Sequence, residues 1–132
     1  MQVSPERAPF SRTYEDGAPQ VVWTTLVADL ETPVSAMMKL AERRANAFLL
    51  ESVEGGSVRG RFSIIGLRPD VIWRFKKKQA EINRQARIDP HAFEPCPEDP
   101  LTSFRSLLAE SEIDLPEGLP PMASGLFGYM GY

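Results

Sequence analysis

The sequence predicts an α+β fold in which a mainly antiparallel sheet carries two helices. Short β-branched and aromatic runs bounded by Gly or Pro are typical of strands. Thr32-Pro33 and Asp99-Pro100 each join an N-cap residue to a proline at the first helical position, which predicts two helix starts. The 132 residues are 42% hydrophobic, enough for one domain with a core. Residues 1–19 are polar and are expected to form a flexible arm before a domain over 20–132.

The order of elements follows from local composition. In the first helix, apolar residues recur at helical spacing, and a second apolar stripe follows Pro100. Four prolines within residues 89–100 predict an irregular connection. Strands are predicted over residues 21–27, 47–50, 62–67, 71–75 and 80–84. The helix stripes are Val34, Met37, Met38, Ala41 and Ala45, and then Leu101, Phe104, Leu107 and Leu108.

The segment from Ala123 to Tyr132 is apolar and strand-like, with glycine at every third position from Gly125. Glycines at this density predict close approach of another backbone or bulges. Natural termini are usually polar and frayed, whereas this chain stops within an apolar segment. We therefore expect the chain to be the front of a longer protein.

Charge and composition argue against several classes of function. A net charge of −3 and the lack of an extended basic patch do not favour nucleic-acid binding. No signal peptide or membrane-spanning run is visible, and the single cysteine, Cys96, fits a reducing compartment, so a cytoplasmic location is expected. The only histidine, His91, has no partner at metal-ligand spacing and no serine beside it. A bound small molecule or a protein interface is favoured over catalysis.

One pair of segments combines charges, hydroxyls and apolar walls. A strand ending in Leu50-Glu51-Ser52 is followed by a Gly-Gly turn, and the next strand starts at Arg61-Phe62-Ser63. A carboxylate, a guanidinium and two hydroxyls beside apolar residues suit a zwitterionic ligand. Because side chains alternate along a strand, Glu51 and Ser52 can reach one ligand only at a strand end or a bulge. In the simpler interpretation, Glu51 is a surface acid paired with Arg61.

Five stretches across nearly the whole chain resemble, in order and spacing, the N-terminal part of anthranilate synthase component I. This large subunit belongs to the chorismate-utilising enzymes, a family that also includes aminodeoxychorismate synthase. The stretches are Ala28 to Ser35, Phe48 to Gly56, Gly60 to Gly66, Pro69 to Arg74 and Gly125 to Tyr132.

The resemblance implies the N-terminal portion of a larger two-sheet sandwich. The full-length enzyme it implies is a lyase that converts chorismate and glutamine or ammonia into anthranilate and pyruvate, the first step of tryptophan biosynthesis. Magnesium and chorismate would bind in the C-terminal part, so this chain is expected to carry no catalytic residue, metal or cofactor. The implied partners are a glutamine amidotransferase subunit, in an oligomer of heterodimers, and L-tryptophan as feedback inhibitor. The implied tryptophan site comprises Leu50, Glu51, Ser52, Arg61 and Ser63.

Two alternatives remain at this stage. The chain could be the N-terminal part of aminodeoxychorismate synthase component I, in which bound tryptophan is structural. It could also be a stand-alone amino-acid-binding or interaction module. The product of the full-length protein, and the reading frame beyond Tyr132, would distinguish these three possibilities.

Overall fold

The computed structural model describes residues 1–51 and 62–131. Within them lie seven strands, three α-helices and one 3₁₀ turn, and every strand pairing is antiparallel. The α+β class is confirmed, with one helix more than expected. The strands are β1 Val3–Ser4, β2 Trp23–Thr24, β3 Phe48–Glu51, β4 Ser63–Gly66, β5 Ile72–Lys76, β6 Gln79–Asn83 and β7 Glu94–Pro95. The helices are α1 Arg7–Glu15, α2 Pro33–Ala41 and α3 Pro100–Glu110, and the 3₁₀ turn is Pro121–Ala123.

The described chain divides into two compact units. One comprises residues 1–28 with the described residues from 105 onward, and the other comprises residues 29–104. Helix α3 begins in the second unit and ends in the first. No helix in the described part of the chain is both long enough and apolar enough to cross a membrane.

Residues 1–19, which the sequence predicts to be a flexible arm, include strand β1 and helix α1. Strand β1 pairs with β2, so that Ser4 stands opposite Trp23. In α1 the rings of Phe10 and Tyr14 stack with their centroids 5.9 Å apart. Residues four apart lie on the same face of a helix, so this aromatic pair supports α1 locally. Two aromatic residues four positions apart would have indicated this helix from the sequence, although the segment is otherwise mostly polar.

Two predicted strands of this unit are shorter or absent. The strand predicted over residues 21–27 is reduced to β2, because its partner, β1, is itself only two residues long. Residues 124–131, predicted to be strand-like, form no strand, and Gly125 has a φ of +145°. A Cβ placed on Gly128 would have no atom within 4 Å. The predicted close approach of a second backbone is therefore absent from the described residues.

In the second unit, α2 begins where Thr32 and Pro33 predict. The Thr32 hydroxyl accepts a hydrogen bond from the Ser35 backbone N–H at 3.1 Å, and the Ser35 hydroxyl accepts one from the Thr32 N–H at 2.9 Å. This reciprocal pair satisfies two backbone donors that helix geometry leaves unpaired. The helix ends earlier than predicted, since Glu42 adopts a left-handed φ of 41°. Ala45 consequently lies outside it.

Strands β3 and β4 form a two-stranded ribbon, and α2 lies against both of them. Both strands were predicted, each within one residue of its observed ends. Strands β5 and β6, both predicted, form a second hairpin whose turn is Lys77-Lys78. Ala80 and Asn83 on β6 are almost fully buried.

The proline-rich residues 89–100 contain a strand that was not predicted. Strand β7 pairs with β6, with Glu94 opposite Ile82. The Cys96 N–H donates to the Ala80 carbonyl at 2.8 Å, which extends the contact. Proline has no N–H to donate, so Pro95 is compatible only with an edge strand, and β7 is such an edge.

Helix α3 begins at the predicted signal. The Asp99 carboxylate accepts hydrogen bonds from the backbone N–H groups of Leu101 at 3.1 Å and Thr102 at 3.2 Å. The predicted apolar stripe is only partly inward-facing, since Leu107 is buried whereas Leu101 is exposed.

The first turn of α3 is fixed to β5 within the second unit. The Trp73 ring packs against Phe104 with centroids 5.0 Å apart. The indole N–H of Trp73 donates to the Ser103 hydroxyl at 3.1 Å. A partly buried Trp needs such a partner for its N–H, so this contact joins packing to hydrogen bonding.

Candidate functional site

Three of the five residues implied as a tryptophan site lie at one end of the β3–β4 ribbon. Leu50 and Glu51 end β3, and Ser63 begins β4. Ser52 and Arg61 fall within residues 52–61, outside the described residues. The structure therefore gives geometry for Leu50, Glu51 and Ser63.

Glu51 and Ser63 are brought together by the strand register. They are direct partners in the antiparallel ladder, at the ribbon end where residues 52–61 connect the two strands. Directly opposed residues project from the same face of a sheet, with their Cβ atoms about 4.5–5.5 Å apart. A carboxylate and a hydroxyl, from residues far apart in the chain, thus share one face.

Leu50 lies on the other face of the ribbon. Successive side chains of a strand point to opposite faces, and the partner of Leu50 is Ile64 rather than Ser63. Leu50 and Glu51 therefore lie on opposite faces of the ribbon. In this register Leu50 does not form a wall beside a ligand that Glu51 holds. Phe62 precedes Ser63 in the chain and is 43% exposed.

The apolar neighbours of Glu51 and Ser63 are instead Leu49 and Ile65. These two are direct partners one step along the ladder, two residues from Glu51 and Ser63 respectively. Residues two apart in a strand share a face, so the four side chains form a block with a polar half and an apolar half. Counting back by two from Glu51 would have identified Leu49 from the sequence.

The face that carries Leu50 is packed tightly at its far end. Phe48 is opposite Gly66, and a Cβ on that glycine would lie 2.1 Å from the Phe48 ring. The ring thus occupies the space a side chain at position 66 would need. A residue with a side chain at position 66 would clash with Phe48, so glycine there is compatible with the register that pairs Glu51 with Ser63.

The polar half of the block is accessible to solvent. Glu51 and Ser63 are both exposed, and neither side chain bonds to another described residue. A carboxylate can accept a hydrogen bond from an ammonium, and a hydroxyl can donate one to a carboxylate. The pair can therefore hold both charged groups of an α-amino acid.

Helix α2, which lies against β3 and β4, carries the clearest electrostatic perturbation in the described chain. Hydrogen bonds from Lys39 and then from Ser35 hold the pKa of the Glu31 carboxyl below its usual value of 4.5. Glu31 and Ser35 lie at the N-terminal end of α2, and Lys39 reaches Glu31 from the last turn of the helix.

Neither a metal nor a nucleophile is indicated by the described residues. Within residues 1–51 and 62–131, no three His, Cys, Asp or Glu side chains are grouped so that they could hold a metal ion. The Cys96 thiol is buried, as is typical of a structural cysteine.

Comparison with known proteins identifies relatives over nearly the whole chain. The chain is 52% identical over 123 residues to anthranilate synthase component 1 of Cereibacter sphaeroides, covering 93% of this chain and 25% of the relative. It is 36% identical over 127 residues to the protein of that name from Pseudomonas aeruginosa, covering 96% and 25%. For the Synechocystis protein of the same name, identity is 37% over 131 residues, covering 98% and 25%.

The chain therefore spans about a quarter of the length of the curated relatives it matches. The match lies in their N-terminal region. No family model and no solved structure matches the chain.

Proposed function

This chain is homologous to the N-terminal region of anthranilate synthase component 1, and we propose that it is the tryptophan-sensing part of such an enzyme. The whole protein would convert chorismate and glutamine or ammonia into anthranilate and pyruvate. A magnesium ion would serve the remainder of the protein, and a glutamine amidotransferase subunit would supply ammonia. Anthranilate is favoured over aminodeoxychorismate as product because the relatives carry the anthranilate synthase name.

The observation that carries the regulatory proposal is the pairing of Glu51 with Ser63. Tryptophan presents an ammonium, a carboxylate and an indole. The Glu51 carboxylate would accept from the ammonium, and the Ser63 hydroxyl would donate to the carboxylate. Charge-assisted hydrogen bonds of this kind are stronger than neutral ones, and both groups lie at one ribbon end.

Leu49 and Ile65 would supply an apolar wall for the indole, since they share the face of Glu51 and Ser63. Ser52 and Arg61 retain the roles implied by the family resemblance, a hydroxyl donor and a guanidinium for the carboxylate. They belong to residues 52–61, which connect the paired ends of β3 and β4.

The test is an inhibition curve of the whole protein with its amidotransferase subunit, in which anthranilate fluorescence is followed as L-tryptophan is added. Glu51→Gln removes the charge proposed to pair with the ammonium, and Ser52→Phe adds bulk at the proposed hydroxyl. Losing one hydrogen bond to a charged group costs roughly 1.5–3 kcal/mol, so the inhibitory concentration should rise about tenfold to a hundredfold.

Glu54→Gln is the matched control, because it removes the same charge from a nearby acid that has no proposed role. Its inhibition curve should coincide with that of the unmodified protein. The uninhibited rate of each variant is measured alongside, so that general damage is recognised. Full tryptophan sensitivity in both Glu51→Gln and Ser52→Phe would show that the effector site lies on other residues.

A further inference from the structure

Helix α2 exposes an apolar flank that the β3–β4 ribbon leaves uncovered. Val34 and Met38 are 52% and 76% exposed. They are four residues apart, so they lie one above the other on the helix surface. Beside them, Met37 and Ala41 are half-buried. The apolar arc of α2 is thus wider than the part that is removed from solvent.

A helix that packs on one partner normally confines its apolar residues to the side facing that partner. Single exposed apolar side chains are ordinary on protein surfaces. Here, however, two neighbouring apolar side chains continue directly from the half-buried side of the same helix. This arrangement is typical of a helix that has a second packing partner.

The ribbon beneath α2 is also incomplete as a sheet. Among the described residues, the outer edges of β3 and β4 pair with no further strand. A two-stranded ribbon is marginally stable in water, and unpaired edges favour the addition of another strand. Both the helix flank and the ribbon edges therefore present surfaces that would be stabilised by more polypeptide.

We infer that the Val34–Met38 flank of α2 is the docking face for an apolar surface in the part of the whole protein that lies outside this chain. The inference rests on the proposed function in one respect, namely that the chain belongs to a longer enzyme. The relatives supply the occupant, because about three quarters of their length lies beyond the matched region.

The size of the flank favours this occupant over a second copy of the chain. Two side chains contribute far less than the roughly 1,000 Å² that specific association between separate proteins requires. A segment in the same polypeptide needs a smaller contact, because its effective concentration is high. The flank is also uncharged, whereas Lys39 beside it forms an ion pair with Glu31 and stays 66% exposed.

Thiol labelling tests this inference directly. Met38→Cys is introduced into the whole protein and into the 132-residue chain, and labelling of the peptide that contains position 38 is followed by mass spectrometry. Lys39→Cys serves as the matched control on the solvent side of the same helix. In the whole protein, Cys at position 38 should react at least about tenfold more slowly than Cys at position 39, because docking must open before reaction. In the 132-residue chain the two should react at similar rates.

Equal labelling of positions 38 and 39 in the whole protein would overturn the inference. So would protection of position 38 that appears in the 132-residue chain alone and increases with concentration, since a second copy would then be the occupant. Labelling requires neither tryptophan nor chorismate. If tryptophan inhibits the whole protein but Cys at position 38 is labelled rapidly, the docking face is refuted and the effector site is not. If Cys at position 38 is protected but tryptophan does not inhibit, the effector site is refuted and the docking face is not.

Discussion

At the scale of single residues, the strand register makes a distinction that composition cannot. Leu49 and Leu50 are adjacent and chemically identical, yet they lie on opposite faces of β3. Only Leu49 shares the face of Glu51 and Ser63. The sequence singled out Glu51 and Ser63 because charged and hydroxyl groups are recognisable from residue type alone, and alternation along a strand would also have identified Leu49. The direct pairing of Glu51 with Ser63 was not predictable, because the register depends on how β3 and β4 align.

This difference between two leucines gives a matched test of the proposed site. Leu49→Ala in the whole protein should weaken tryptophan inhibition by about fivefold or more, since removing apolar contacts from a pocket costs about 1–3 kcal/mol. Leu50→Ala removes the same atoms from the other face and should leave the inhibition curve much closer to that of the unmodified protein. Inhibition curves and thermal unfolding are measured together for both variants. A stronger effect of Leu50→Ala on inhibition would contradict the observed register as the geometry of the site.

At the scale of elements, local sequence signals were sufficient to predict where a helix begins when neighbouring residues cap its N-terminus. Thr32-Pro33 and Asp99-Pro100 fixed the starts of α2 and α3 because capping needs only neighbouring residues. Two stretches whose structure depends on the presence or absence of a partner strand were predicted wrongly. Strand β7 forms in a proline-rich stretch because β6 offers it an edge. The mostly apolar residues 124–131, by contrast, form no strand, and no strand in the described part of the chain pairs with them.

The β5–β6 turn is built from residues poorly suited to it. Lys77 and Lys78 have φ values of +52° and +66°, which two-residue hairpins require but lysine disfavours. A non-glycine residue in this region costs roughly 1–2 kcal/mol. The double variant Lys77→Asn, Lys78→Gly should therefore be more stable. The greater freedom of glycine in the unfolded chain opposes part of this gain, so we expect a net increase of about 1 kcal/mol in the free energy of unfolding, measured in urea.

A glycine two positions before Lys78 should have the opposite effect on stability. Lys76 is the last residue of β5 and pairs with Gln79. Lys76→Gly should therefore destabilise the chain by up to about 1 kcal/mol, because glycine in a strand loses more conformational freedom on folding than lysine does. Destabilisation by the turn variant, or stabilisation by Lys76→Gly, would show that the turn does not adopt this conformation in solution.

The N-terminus of α2 should make stability depend on pH on the acid side. The folded pKa of Glu31 is held below 4.5 by Lys39 and Ser35, so its contribution is fully present above pH 4.5. As pH falls through the lower folded pKa, the carboxylate is protonated and the contribution is lost. Glu31→Gln should therefore be less stable than the unmodified chain at pH 7, and the difference should shrink below pH 4.5.

Urea unfolding across this pH range provides the measurement. Glu117→Gln is the control, because it removes an exposed carboxylate from a loop remote in sequence from α2. A stability difference for Glu31→Gln that stays constant from pH 7 to pH values well below 4.5 would mean that Lys39 and Ser35 do not favour the ionised form.

At the scale of the whole molecule, sensing and chemistry are proposed to reside in different parts of one polypeptide. The described residues hold a carboxylate and a hydroxyl suited to an amino acid, and no grouping of ligands suited to a metal ion. The chain spans about a quarter of relatives named anthranilate synthase component 1. In this arrangement, regulation would act through contacts between the sensing part and the remainder, and the α2 flank is one such contact.

The 132-residue chain alone should accordingly be inactive toward chorismate. Both the chorismate-binding and magnesium-binding residues implied by the family would lie outside it, and differential stabilisation of a transition state requires groups that touch the reacting atoms. Incubation with chorismate, magnesium and ammonia should produce no anthranilate fluorescence above a protein-free blank, whereas the whole protein under the same conditions should. Because a trace of host enzyme would mimic activity, the chain is repurified and assayed again. A protein-dependent signal that persists in proportion to the amount of chain would place catalytic groups within these residues and contradict the proposed division between sensing and chemistry.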